Sequence, residues 1–295
     1  MSKKTIFLTG GSGFIGRNLI EQMGGRYEIV APRHQELELT DERQVADFFK
    51  KQRFDIVIHS AVRPGHRNAK DPSSQLNINL RMFFNILRNR DKFGKLIFLS
   101  SGAVYDVAKP MVKVREEDFD KVVPGDEHGF SKYIISKHIA AIENAVELRI
   151  FGIFGKYEDY AIRFISNAIC KTLFDLPITL RQDRKFDYLF VDDLTPVVEH
   201  FIVNKVTDKA YNVTPDYSIG LLALAQKVKE ISGKNVPIQV GREGMGLEYS
   251  GDNARLRREM PGFKFTPLDE AVKKLFAWYE KNQGSIDKSV LLFDK

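Results

Sequence analysis

Three glycines in one short stretch carry the first chemistry legible in this chain. Thr5-Ile-Phe-Leu-Thr-Gly-Gly-Ser-Gly-Phe-Ile-Gly16 sets Gly10, Gly13 and Gly16 three residues apart, directly after the apolar run Ile6–Leu8. Each answers a different steric demand of an anionic ligand. Gly10 permits a tight turn off a strand, Gly13 lets the backbone approach a pyrophosphate, and Gly16 lets the next helix pack closely on the sheet. The helix that starts near Phe14 then offers unpaired N–H groups and the positive end of its dipole. The spacing is G-x-x-G-x-x-G rather than G-x-G-x-x-G, and its context makes it specific: a strand before, a helix after and a second strand at 27–31. Ser12, Phe14 and Ile15 complete a turn that fits a dinucleotide.

The second strand indicates which dinucleotide. A carboxylate at its end would hold the adenosine ribose of NAD. Here the chain reads Val30-Ala-Pro-Arg-His34, with a guanidinium instead. Arg33 is suited to pair with a 2′-phosphate through two charge-assisted hydrogen bonds, which points to NADP, with NAD as the alternative. His34 and Ala61 are further expected cofactor contacts.

The elements that must position these groups alternate regularly. Strands are expected at 27–31, 55–59, 95–100 and 146–151, with helices at 41–51, 75–90 and 130–144 between them. This alternation demands an α/β fold, a Rossmann doubly wound parallel sheet. Residues 1–155 are expected to form it. Beyond that the rhythm loosens, with helices at 160–174, 194–204, 220–232 and 268–282 and strands near 178–180 and 186–191. Residues 156–295 are expected to build mainly a smaller C-terminal α/β substrate lobe, some segments returning to the sheet.

Bulk properties narrow the function. The 45 basic and 39 acidic residues give a net charge of +6, mild and dispersed, whereas nucleic-acid binding requires a concentrated basic stripe. Such a balance suits an anionic small substrate. Cys170 is the sole cysteine, so neither an intrachain disulfide nor a cysteine metal cluster is expected. No apolar run reaches the ~18 residues of a membrane span, and the chain enters a core strand at once, so a cytoplasmic location is expected.

Taken together, Thr9-Gly-Gly-Ser-Gly-Phe-Ile-Gly16, Leu99-Ser-Ser-Gly-Ala-Val-Tyr105, a Tyr-x-x-x-Lys candidate and Val191-Asp-Asp193 resemble the extended short-chain dehydrogenases/reductases. Within them the chain is similar to the nucleotide-sugar epimerase/dehydratase/reductase group. The resemblance implies a serine, a tyrosine and a lysine around the nicotinamide, and Ser101 matches the serine. Two registers compete for the other pair. Tyr133 and Lys137 have the literal spacing. His128-Gly-Phe-Ser-Lys132 matches the family's Tyr-Gly-x-Ser-Lys with histidine in the tyrosine's place. The two exclude each other, because residues five apart on a helix point about 140° apart. The intervening glycine and serine favour His128/Lys132, and histidine can carry the proton.

On the substrate side, Gly152 stands where the family often has asparagine, and Phe186 where it often has arginine. Arg184, with Lys185 beside it, and Arg255, with Arg258 as its alternative, are the candidates to bind the substrate phosphates. Asp192 and Asp193 read as a helix-starting acidic pair, and no metal is expected. The resemblance implies a homodimer and a nucleotide-sugar substrate, and the dispersed charge and short apolar runs lead us to expect no nucleic-acid or membrane partner. The leading expectation is NADP-dependent reduction of a 4-keto sugar. An NAD-dependent 4-epimerase or dehydratase is the alternative, and a non-catalytic dinucleotide-binding protein the second alternative.

Overall fold

The computed structural model describes residues 3–65 and 73–292. It separates into two units. One comprises Met1–Ala108, Arg115–Ile150 and Leu194–Val213; the other comprises Lys109–Val114, Phe151–Asp193 and Thr214–Lys295.

In chain order the elements are β1 (Thr5–Thr9), α1 (Phe14–Met23), β2 (Glu28–Val30), α2 (Glu42–Lys51), β3 (Phe54–His59), α3 (Gln75–Leu87), β4 (Phe93–Ser101), β5 (Met111–Val114) and α4 (Glu127–Ala140). There follow β6 (Ala145–Ile150), β7 (Gly152–Phe154), α5 (Phe164–Leu173), β8 (Ile178–Asp183), β9 (Lys185–Phe186), β10 (Tyr188–Phe190) and α6 (Val191–Val203). The chain ends with β11 (Ala210–Val213), β12 (Ile219–Gly220), α7 (Leu221–Ser232), β13 (Ile238–Met245), β14 (Tyr249–Gly251), α8 (Ala254–Glu259) and α9 (Leu268–Lys281).

The first unit is a six-stranded parallel sheet in the order β11-β6-β4-β3-β1-β2. This is the Rossmann architecture that the alternation demands. Its inner strands are near-continuous apolar runs, Ile6–Leu8, Ile56–Ile58 and Leu96–Leu99, all buried, as parallel strands covered on both faces must be. Phe7, Phe48, Phe49 and Phe54 close the core on one side with ring centroids 4.8–5.9 Å apart. Asp41 caps α2 by accepting the N–H groups of Arg43 and Gln44, so that helix starts where its acidic N-terminus predicts.

One boundary matters for function. The helix expected from 130 begins at Glu127, because Asp126 accepts the Gly129 N–H at 2.8 Å and caps it. His128 therefore lies in the first helical turn, not in the preceding loop.

The second unit contains three small sheets: β7 with β10, β8 with β13, and β12-β9-β14-β5. Helices α5, α7 and α9 pack on one another. α6 starts at Val191, three residues earlier than expected, with Asp192 and Asp193 in its first turn. None of the described helices is long and apolar enough to cross a membrane.

Candidate active site

Strand order reverses at β1, which has β2 on one side and β3 on the other. Open α/β sheets bind ligands outside the carboxyl ends of their strands at such a point. The glycine turn sits there. Gly10 has φ +72°, and a Cβ on it would lie 2.9 Å from the Ala61 nitrogen. A Cβ on Gly16 would lie 2.2 Å from the Gly10 carbonyl oxygen, so any side chain would push α1 off the turn. Gly13 is looser, with the Gly10 oxygen at 3.3 Å. It precedes α1, led by Phe14 and Ile15, whose first turn has neither a side-chain cap nor an acidic residue. The first N–H groups of a helix have no partner within it, so a pyrophosphate fits this cradle by both shape and charge.

Beside it lies a cavity of about 600 Å³, lined by Gly10, Ser12, His34 and Ala61 among others. Arg33 is not among its lining residues; its side chain is exposed and its backbone N–H donates to Glu36 at 2.6 Å. The lining cations are Arg63 and Arg81, and the lining carboxylate is Glu38. Glu38 accepts the Thr40 N–H and hydroxyl at 2.8 and 2.7 Å and pairs with His34 at 3.1 Å. Sequence reasoning missed all three, because no motif marks them.

At the other end of the site, one row of register partners crosses the sheet: Thr9, His59, Phe98 and Glu147, from β1, β3, β4 and β6. Register partners in parallel strands share a face. Lys132 of α4 reaches onto this row. It is 6% exposed, its Nζ lies 4.4 Å from the Phe98 ring centre, and it donates to the Leu99 carbonyl at 3.2 Å. Burial lowers its pKa to about 8, against an opposing pull from Glu147. His128 precedes it by four residues and shares its helix face. Gly129 lets the first turn of α4 rest on the turn after β4: a Cβ there would lie 2.7 Å from the Ala103 carbonyl oxygen. That turn is led by Ser101, whose Oγ accepts the Ala103 N–H at 3.2 Å. Ser101 thus ends β4, and His128 and Lys132 lie on successive turns of the helix that rests on the turn after it.

Tyr133 and Lys137 are turned elsewhere. The Tyr133 hydroxyl and the Lys137 ammonium both donate to Asp120, the latter at 2.5 Å, and the Lys137 side chain is 49% exposed.

β6 also carries a network that sequence reasoning missed. Arg149 donates from Nε and Nη2 to Glu147 at 3.0 Å, and from Nη1 to the Tyr105 hydroxyl at 2.8 Å. Tyr105 in turn donates to Asn212 at 2.8 Å. The available signal was Glu and Arg two residues apart in an otherwise apolar strand, which a period of two places on one face.

In the second unit, the Arg184 guanidinium lies 4.3 Å from the Phe186 ring centre, and burial lowers its pKa. Arg255 is half-buried on α8. Gly152 has a steric reason, since a Cβ there would meet the Asp187 carbonyl oxygen at 2.5 Å. An asparagine would collide with the strand that pairs beside it.

Residues 6–214 match the family described as NAD dependent epimerase/dehydratase. The chain belongs to that family. Among curated relatives, a GDP-L-fucose synthase of Azorhizobium caulinodans is 36% identical over 107 residues, 35% of this chain and 34% of that one. The match thus spans about a third of that relative's length. Among solved structures, this family member superposes on a GDP-L-fucose synthetase from Naegleria fowleri with a TM-score of 0.84 at 18% identity, covering 98% of this chain and 97% of that one. A GDP-mannoheptose C4 reductase from Campylobacter jejuni with NADP bound gives 0.79 at 21% identity, covering 95% and 99%. At these identities the likeness is one of fold.

Proposed function

We propose that the protein is an NADP-dependent oxidoreductase acting on a nucleotide-activated sugar, and that it reduces a 4-keto group. One observation carries this reading. Lys132 is buried on the Leu99 carbonyl, two residues from Ser101, at the carboxyl end of a sheet whose glycine turn fits a dinucleotide.

When bound, the nicotinamide supplies a hydride to the carbonyl carbon. Lys132 holds the adjoining ribose from Nζ and adds positive charge to the site. Ser101 donates from Oγ to the substrate carbonyl oxygen and orients it. The His128 imidazole delivers the proton that oxygen requires; an unperturbed pKa of ~6.5 lets an imidazole hold or release a proton near neutrality. Tyr133 and Lys137 are left with a structural role on Asp120. Arg184 and Arg255 bind the substrate's phosphates. The names of the relatives, a GDP-L-fucose synthase and a GDP-mannoheptose C4 reductase, support a GDP-sugar as substrate class. NADP is supported by the cations Arg63 and Arg81 of the cavity.

Glu38 in that cavity favours a second reading, an NAD-dependent 4-epimerase or dehydratase, because a carboxylate there suits ribose hydroxyls. Stoichiometric loss of NADPH absorbance with 4-keto GDP-sugars, with product analysis, separates the two. Net oxidation of NADPH supports the reductase. Interconversion of sugar nucleotides without net cofactor consumption sinks it in favour of the second reading, and cofactor binding without any turnover would leave a non-catalytic dinucleotide-binding protein.

A further inference from the structure

We propose that Glu147 is a positioning residue for Lys132, acting on its ammonium across Phe98 and through Ser136, with Arg149 as the counter-ion of Glu147. This rests on the reading above, in which Lys132 serves the reaction.

Glu147 is the register partner of Phe98, the ring over which Lys132 Nζ sits. A second connection runs through the helix: Ser136 Oγ donates to Glu147 and lies 2.8 Å from the Lys132 carbonyl oxygen, so the carboxylate touches the turn from which the lysine springs. The surroundings of Lys132 otherwise offer it little. β3 brings His59, buried and kept neutral; α3 brings the Phe83 ring, in contact with both His59 and Phe98. The turn after β4 brings Tyr105, and β6 brings Arg149 beside Glu147. On α4 itself, His128 and Ser136 are its neighbours at four residues' distance. Of the charges acting on Lys132, that of Glu147 is the one that favours the ammonium form.

Burial alone pushes a lysine toward its neutral form, and a neutral amine neither holds a ribose nor lends positive charge. Glu147 offsets that push. Arg149 is needed in turn because a charge buried without a partner is costly. The arrangement is a built one: Glu147 and Arg149 are 1% and 3% exposed and bonded to each other through two N–H groups.

The test follows Lys132 Nζ directly by lysine side-chain NMR across pH in the full chain, the signal assigned with Lys132→Met. Glu147→Gln is expected to lower the midpoint by about one unit and to shift the alkaline limb of kcat by a similar amount, with the sugar KM little changed. Because Glu147→Gln leaves Arg149 buried without its counter-ion, the charge-balanced double variant Glu147→Gln/Arg149→Met, expected to show a smaller shift in the same direction, serves should the single variant fail to fold. Glu147→Asp is expected to restore part of it. A folded variant with an unmoved Lys132 midpoint overturns the proposal. Undiminished turnover in Lys132→Ala would instead sink the reading of the active site, whatever Glu147 does to the lysine.

Discussion

Thr9 donates its hydroxyl proton to Nδ1 of His59 across 2.8 Å. The assignment follows from the hydroxyl's other bonds. Its oxygen accepts the N–H groups of Ser60 and Ala61 at 3.1 and 3.0 Å, leaving its one proton for the imidazole. His59 is therefore an acceptor at Nδ1, neutral, with its proton on Nε2. Burial, with a smaller repulsion from Lys132, lowers its pKa from 6.5 to about 3. The folded chain thus refuses a proton that the unfolded chain takes, so the stabilisation is present above pH 6.5 and is lost as pH falls toward 3. Denaturant unfolding is expected to show wild type losing about 2 kcal/mol more than His59→Gln between pH 7 and 5. Equal losses in the two proteins would contradict the neutral, buried histidine.

The glycine turn should discriminate sharply between its members. Gly16→Ala places a methyl 2.2 Å from a backbone oxygen and should abolish dinucleotide binding while lowering stability by about 2 kcal/mol. Gly13→Ala meets that oxygen at 3.3 Å and should fold normally, losing affinity alone. Calorimetric titration of both variants checks this, and normal binding by Gly16→Ala would rule out the cradle.

Lys132 and Lys137 differ enough in setting to decide between the two helix registers. Lys132→Ala should reduce turnover at least ~100-fold, in the range of lost acid–base and electrostatic contributions. Lys137→Ala and Tyr133→Phe, which release only Asp120 at the surface, should stay within a factor of about three, since exposed ion pairs contribute little. The opposite ranking in steady-state assays would move the active pair to Tyr133/Lys137.

Cofactor choice can be read from paired titrations with NADPH and NADH. Arg63→Ala and Arg81→Ala should each weaken NADPH by about tenfold and leave NADH nearly unchanged, as expected for loss of a charge-assisted contact to a 2′-phosphate. Tight NADH binding, insensitive to either change, would bring Glu38 and the NAD-dependent reading forward.

The nucleotide end of the site was legible because its demands are local. A turn, a close approach and a helix contact each require glycine at set spacing, and a strand-helix alternation requires a parallel sheet. The start of α4 was hidden because Pro124, Gly125 and Gly129 look like loop residues, whereas Gly129 is there to clear the Ala103 carbonyl. The two registers could not be told apart from spacing, since both pairs are four residues apart on one helix. What separates them spatially is Asp120, a loop residue no motif marks. Glu147 and Arg149 stayed silent for a similar reason: nothing local tells a buried charge from a misplaced surface one until the neighbouring strands are laid beside it.

The first unit draws its last strand, β11, from residues beyond position 200, and that strand covers the edge of β6. On a ribosome, β6 must therefore wait as a bare edge while some sixty further residues are made (Ile150 to Ala210), with Arg149 and Tyr105 still lacking Asn212. A fragment cut after the fifth strand of this sheet would remain permanently in that state, with two buried-state charges on an unpaired edge open to other chains.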